Sequence, residues 1–212
     1  MTEPELLDDR VLLAGWQGGD RELGNRLFRR HIRSISQFFR TKVPEAAEDL
    51  TQTTFLALVE LDATRVAGVP FRAYLFGIAR NQLLMHLRTK ARAQLRFDPL
   101  THSAPDGGAS PVRVVAAQEQ QRTLAAALQR VPIDYQVALE LHYFEGLPIA
   151  EIAEVLGRPV GTVKSLLSRG RDLLRARLEE LAPSQELLIS IGNELDRWMR
   201  TLPEVLGGEP AS

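Results

Sequence analysis

The sequence predicts an all-α fold: two small helical domains joined by a flexible linker, with an amphipathic helical extension at the C-terminus. Three observations carry that prediction. Aromatic residues make up only 6% of the chain while Leu and Ala are frequent, a balance that favours helices over strands. Apolar residues recur at spacings of three and four in one stretch after another, the period of a helix buried along one side. Between Phe97 and Pro111 that pattern gives way to FDPLTHSAPDGGASP, whose three prolines and two adjacent glycines exclude a continuous helix. These breaks divide the chain into a domain at 8–95, a linker at 96–113, a domain at 114–182 and an extension at 183–212.

In the first domain, Val11 to Trp16 and Leu23 to Phe39 read as helices separated by a turn at Gly18-Gly19-Asp20. Leu23, Leu27, His31, Ile35 and Phe38 form one stripe, which makes His31 a packed core residue. Pro44 ends that pattern. The next helix, EDLTQTTFLALVEL, turns Leu50, Thr54, Ala57, Leu58 and Leu61 inward and groups Asp49, Gln52, Thr53, Leu56 and Glu60 on the other face. A leucine amid that polar stripe reads either as part of a docking surface or as an ordinary exposed leucine.

After the loop ATRVAGVP comes FRAYLFGIARNQLLMHLRTKAR, with Phe71, Leu75, Ile78, Ala79 and Leu83 as a slanting inner stripe. Tyr74, Asn81 and Arg88 align at heptad spacing on another face, and Arg92 follows a turn later. Rings stack on bases, amides bond base edges and cations meet phosphates, so this face suits single-stranded nucleic acid. The same residues also make an ordinary helix surface.

Beyond the linker, the helical pattern resumes at Val114. Leu124, Leu128 and Val131 form a stripe that Pro132 ends, and Val137, Ala138, Leu141 and Phe144 form another. The stretch LPIAEIAEVLGRPVGTVKSLLSRGR then reads as a helix-turn-helix from Leu147 to Arg171. Ile149, Ile152, Ala153 and Leu156 share one face, Gly157 supplies the left-handed turn residue, and Pro159 restarts the chain in the first turn of the second helix. Val160, Val163 and Leu167 form the inner face of that helix. Thr162, Lys164, Ser165, Ser168, Arg169 and Arg171 remain to face outward, where Lys and Arg read guanine and Ser reads more permissively. The last segment places Leu188, Ile191, Leu195, Trp198 and Leu202 on one amphipathic face, for packing on its own domain or for docking and dimerisation.

Charge supports nucleic-acid contact through its distribution, since the net value is only −1. From Arg158 to Arg177 there are six cations against Asp172 alone, and from Arg72 to Arg96 there are six with no acid, while the extension is acidic. With no cysteine, disulfides and thiolate metal sites are excluded, and the four histidines lack the spacing of a helical metal site. Neither a nucleophile–base constellation nor a phosphate loop is present, so no cofactor and no enzymatic activity are expected. No apolar run approaches the ~20 residues of a membrane span, and MTEPELLDDR lacks a signal peptide's basic start, so a cytoplasmic protein without membrane insertion is expected.

Three pieces in order, AEDLTQTTFLALVE, PFRAYLFGIARNQLLMHLR and YQVALELHYFEGLPIAEIAEVLGRPVGTVKSLLSRGRDLLR, resemble the extracytoplasmic-function sigma factors of bacterial RNA polymerase from roughly Asp8 to Leu181. The resemblance implies binding to core polymerase and promoter recognition and opening, with an anti-sigma factor as a further partner. It implies that the helix with Asp49, Gln52, Thr53, Phe55 and Leu56 grips the largest subunit's coiled coil. The loop Thr64 to Pro70 and the helix with Ile78 and Asn81 would open the −10 element and capture a flipped base, with Tyr74 on the same single-strand face and Arg80, Arg88 and Arg92 on the nearby phosphates. Lys164, Ser165, Ser168 and Arg169 would read the −35 duplex, and Thr162 and Arg171 would touch its phosphates. Leu166 stands where the family often has Arg or His, Pro148 replaces a frequent Ser or Thr cap, and Met85 and Thr53 occupy sites often acidic in the family. Two other readings fit parts of the pattern: a helix-turn-helix repressor or activator acting without polymerase, and a sigma-like protein that only sequesters a partner.

Overall fold

The computed structural model describes residues 7–60, 68–91, 100, 119–182, 184–186, 188–189 and 195–206. Its elements are α1 (Asp9–Gln17), α2 (Arg21–Arg40), a 3-10 turn (Pro44–Ala46), α3 (Ala47–Glu60), α4 (Phe71–Ala91), α5 (Glu119–Gln129), α6 (Ile133–Tyr143), α7 (Ile149–Leu156), α8 (Val160–Leu181) and α9 (Leu195–Leu206), with no strand among the described residues. The all-α expectation holds. The expected linker, apart from Leu100, lies outside the described residues.

Side-chain caps set the first two helices. Asp8 accepts from the Arg10 amide at 2.7 Å to start α1, and Asp20 accepts from the Glu22 and Leu23 amides at 2.9 and 3.2 Å to start α2. Between them Gly19 takes φ 95°, a left-handed conformation in which a side chain is strained. The two helices then run closely enough that a Cβ on Gly24 would lie 2.5 Å from Trp16 Cδ1. Leu27, Ile35 and Phe38 are buried as the α2 stripe predicts, Leu23 is half-buried, and Phe39, outside the stripe, joins Leu58, Leu75 and Phe76 in the core beneath them. His31 is buried as expected, 2.9 Å from Asp9 Oδ2 and against the Phe71 ring at 5.3 Å.

Helix α4 departs from its single predicted stripe. Phe71, Leu75, Ala79 and Leu83 are buried, but so are Ala73, Phe76, Leu84 and Leu87, while Ile78 is only half-buried. Helix α3 packs on one side of α4, and α7 from the second half of the chain packs on another. A helix enclosed on two sides needs apolar residues outside one stripe.

In the second half α6 and α5 pack on α8, and α7 lies against α6 and α8. Gly170 lets α6 and α8 approach, since a Cβ there would already lie 3.3 Å from Leu139 Cδ1. Helix α9 packs on α5 and α6 through Leu195, Met199 and Leu202, so the extension packs on its own chain. Of its other predicted stripe residues, Leu188 is half-buried, while Ile191 and the Trp198 side chain lie outside the described residues.

The two halves meet through charge. Lys42 pairs with Glu140 at 2.5 Å, Arg80 with Asp134 at 2.7 Å, and Arg72 with Glu145 at 2.6 Å. In each pair the cation comes from the first half and the carboxylate from the second.

Candidate nucleic-acid and partner interfaces

The turn of the helix-turn-helix follows from backbone chemistry. Gly157 ends α7 at φ 59°, ψ 39°, and its amide and that of Arg158 bond back to the last carbonyls of α7. Pro148 and Pro159 stand as N-caps with φ −58° each and no side-chain cap, so Pro159 lies one position before α8 rather than inside its first turn. Its carbonyl accepts from the amides of Thr162 and Val163 at 2.9 and 3.1 Å.

The inner face of α8 is rotated from the one predicted. Val163 and Leu167 are buried as expected, whereas Val160 is 43% exposed and Leu166 is only 6% exposed. Val160 is the first residue of α8. Leu166 therefore belongs to the core, and the absence of a polar residue there is a packing requirement. Lys164, Ser165, Ser168 and Arg169 form an exposed face, while Thr162 and Arg171 are half-buried beside it. The Ser165 hydroxyl donates to the Gly161 carbonyl at 3.1 Å within its own helix. Lys164 and Arg169 make no ion pair with any described residue, so both charges are available to a polyanion.

On α4 the structure separates the residues expected to act together. Asn81 and Arg88 are exposed, with the 60%-exposed Met85 between them. Tyr74 and Ile78 are half-buried, and Arg92 lies outside the described residues. Arg80 is turned away from solvent: its side chain is 11% exposed and is held by Asp134, which also receives Arg158 from the helix-turn-helix turn at 3.4 Å. Its Nε is buried without a hydrogen-bond partner. Sequence spacing could not reveal this, because Asp134 lies in the other half of the chain.

On α3, Asp49, Gln52, Thr53 and Leu56 are exposed, as their shared stripe predicts. Phe55 is not part of that surface. It is 3% exposed, with its ring 4.8 Å from that of Phe28, because position 55 falls on the side of α3 that faces α2. It instead floors an apolar groove of about 500 Å³ whose walls include Trp16, Phe28, Ile32, Gln52 and Leu56. Leu56, 55% exposed, forms its rim, so the lone leucine of the polar stripe joins an apolar surface drawn from α1, α2 and α3. No single helix pattern shows such a groove.

The chain matches two family descriptions: Sigma-70 region 2 over residues 26–93 and Sigma-70, region 4 over residues 121–174. It is 28% identical over 187 residues to the ECF RNA polymerase sigma-E factor of Escherichia coli strain K12, covering 84% of this chain and 97% of that one. It is 30% identical over 145 residues to the ECF RNA polymerase sigma factor SigW of Bacillus subtilis strain 168, covering 64% and 76%. Among solved structures, CnrH in complex with the cytosolic domain of CnrY matches at 25% identity and TM-score 0.55, covering 83% of this chain and 99% of that one. RpoE of Bartonella quintana, solved with the anti-sigma factor NepR, shares the fold at 24% identity and TM-score 0.55, covering 76% and 97%.

Proposed function

The chain belongs to the extracytoplasmic-function sigma factors of bacterial RNA polymerase, and on that premise we propose how its residues divide the work of starting transcription. The protein binds core polymerase and directs it to promoters. Residues 8–95 dock on the largest subunit's coiled coil and open the −10 element, and residues 114–182 hold the −35 element as duplex. The observation that carries this division is that Asn81 and Arg88 on α4, and Lys164, Ser168 and Arg169 on α8, form two exposed polar faces on separate helical units.

The α8 face suits the major groove, where a lysine or arginine bonds the guanine edge and flanking residues touch phosphate. The α4 face suits a base turned out of the duplex, which costs a few kcal/mol that an amide and an apolar neighbour must recover. Asp49, Gln52, Thr53 and Leu56 form the polymerase-docking face beside the apolar groove, and Phe55 supports it from below. The protein acts in the cytoplasm without catalysis of its own, and an anti-sigma factor is its third class of partner. Among the described residues no helix is long and apolar enough to cross a membrane.

The experiment mixes purified chain with core polymerase and a panel of promoter fragments and looks for specific transcripts. Transcripts dependent on both promoter elements are expected. Tight binding to naked duplex with no transcript from any promoter would leave a conventional operator-binding regulator.

A further inference from the structure

The closed arrangement of the two halves conflicts with the task just assigned, and this inference rests on that assignment. Promoter elements at −10 and −35 are ~25 base pairs apart, or roughly 85 Å at about 3.4 Å per pair. Here α4 packs directly on α7, and α7 on α8. Axes of packed helices lie about 8–10 Å apart, which puts α4 and α8 within ~20 Å. The described form therefore cannot touch both elements at once. It also holds Arg80 against Asp134, a carboxylate standing where a promoter phosphate would stand.

The junction is an expensive one to hold closed. Lys42 and Glu140 are desolvated there, even though Lys42 Nζ also donates to the Phe38 carbonyl at 2.8 Å and to Thr41 Oγ1 at 3.0 Å, and Arg80 Nε and Gln136 Oε1 are buried without hydrogen-bond partners. The packing of α4 on α7 offsets part of that cost. Helix α9 is placed to offset more of it. It buries Leu195, Met199 and Leu202 on the second half, at 3%, 0% and 0% exposure. Asp196 accepts from the Tyr143 hydroxyl at 2.7 Å, and the Arg200 guanidinium lies over the Tyr143 ring at 6.0 Å. Its Pro203 carbonyl then accepts from Gln37 Nε2 of α2 at 3.1 Å, a bond that crosses to the first half. Pro203 lies beyond residue 174, where the region 4 match ends.

We infer that α9 is a latch within the chain, which bridges α5 and α6 to α2 and keeps the two promoter-reading halves closed until polymerase or DNA displaces it. Release of α9 frees the Gln37 contact, lets the halves part, and returns Arg80 to the α4 surface.

The chain has no cysteine, so Arg29→Cys and Arg175→Cys place one label on an exposed position of each half. Distances between the labels are measured in the full chain and in Met199→Asp/Leu202→Asp, which sets charge into the buried face of α9. The latch predicts a short distance in the unaltered chain, a long one in the variant, and an affinity for core polymerase at least about tenfold higher in the variant. Should that variant lose its helical content, Gln37→Ala/Tyr143→Phe removes the crossing bond and the bonds of the Tyr143 hydroxyl to Asp196 and Arg171, and a gain of about threefold in the open population is expected. Distances that stay short while the amides of 195–206 exchange freely would overturn the latch. The distance measurement needs neither polymerase nor promoter. A chain that opens as described but yields no transcript therefore refutes the sigma assignment and leaves the latch standing.

Discussion

Lys42 Nζ lies 2.5 Å from Glu140 Oε2 across the junction of the two halves, with both side chains buried, at 0% and 3% exposure. Burial pushes the Lys42 ammonium below its ordinary range, and the Glu140 and Glu145 carboxylates only partly restore it. Thr41 Oγ1 also donates to Glu140 at 3.1 Å, and Gln136 Nε2 donates to its other oxygen at 2.9 Å. Removing one partner of a buried pair leaves the other charge unsolvated, at a cost of about 3–5 kcal/mol. Glu140→Gln should escape that cost by parting the halves and wetting Lys42. Small-angle scattering should then show a larger radius of gyration, and Lys42→Met/Glu140→Leu should be compact again. A Glu140→Gln chain as compact as the parent would show that the pair does not hold the junction.

A second, part-buried pair governs the first half in acid. Burial works to raise the Asp9 carboxyl, but hydrogen bonds and charge from His31 and Arg30 outweigh it and hold the group below 3.8. A folded-state pKa below the unfolded one means that the unfolded chain binds the proton first as pH falls. The stabilisation is therefore complete above 3.8 and is lost as pH drops through the lower folded value. Asp9→Ala should lower stability at neutral pH by about 1.5–3 kcal/mol, the scale of hydrogen bonds to a charged group. Its difference from the parent should shrink below pH 3.8, as followed by urea denaturation at several pH values. A difference that grows in acid would contradict the sign.

Much of this was legible in the sequence where the determinants were local. Gly157, the stripe of α2, the core place of His31 and the exposed face of Lys164, Ser165, Ser168 and Arg169 each follow from neighbours within a turn or two. What escaped were consequences of contacts between distant segments. Phe55 matches a docking motif yet points at Phe28. Leu84 and Leu87 are buried because α4 is enclosed on a second side. Arg80 is withdrawn because Asp134 comes from another helix. A helical period gives the presence of a buried side and says little about how many neighbours the helix has.

Asn81 is exposed on α4 with Met85 and Arg88 following on the same side, an arrangement suited to one extruded base. Asn81→Ala should slow promoter opening roughly tenfold or more, the scale of one or two lost edge hydrogen bonds. Fluorescence of a base analogue in the −10 element would follow opening, while polymerase affinity should stay within a factor of about two. A collapse of that affinity would move α4 to the polymerase interface.

Lys164 and Arg169 are the exposed cations of α8 without an ion pair among the described residues, since Arg175 and Arg177 pair with Asp172 and Glu180. If they read base edges, Lys164→Ala or Arg169→Ala should cost about 1–3 kcal/mol of discrimination between −35 sequences. Binding of the polymerase-bound protein to a set of −35 variants measures this. An equal loss on every sequence, with a salt slope reduced by about one, would make them phosphate contacts.

Leu166 separates the surface reading of α8 from the packed one. A residue in the DNA-facing row would accept arginine, and the added cation would tighten promoter binding. Leu166 is instead 6% exposed, within the core that Val163, Leu167 and Leu174 share. Leu166→Arg must either bury a guanidinium without a partner or displace α8 from its neighbours, and buried unpaired charges are among the most destabilising substitutions. A loss of about 3 kcal/mol or more is expected, visible as a lower thermal midpoint together with weaker −35 binding. Leu166→Met keeps the volume and should change stability by less than about 1.5 kcal/mol. Tighter promoter binding by a stable Leu166→Arg chain would instead place residue 166 on the DNA face and rotate the whole assignment of α8 by one position.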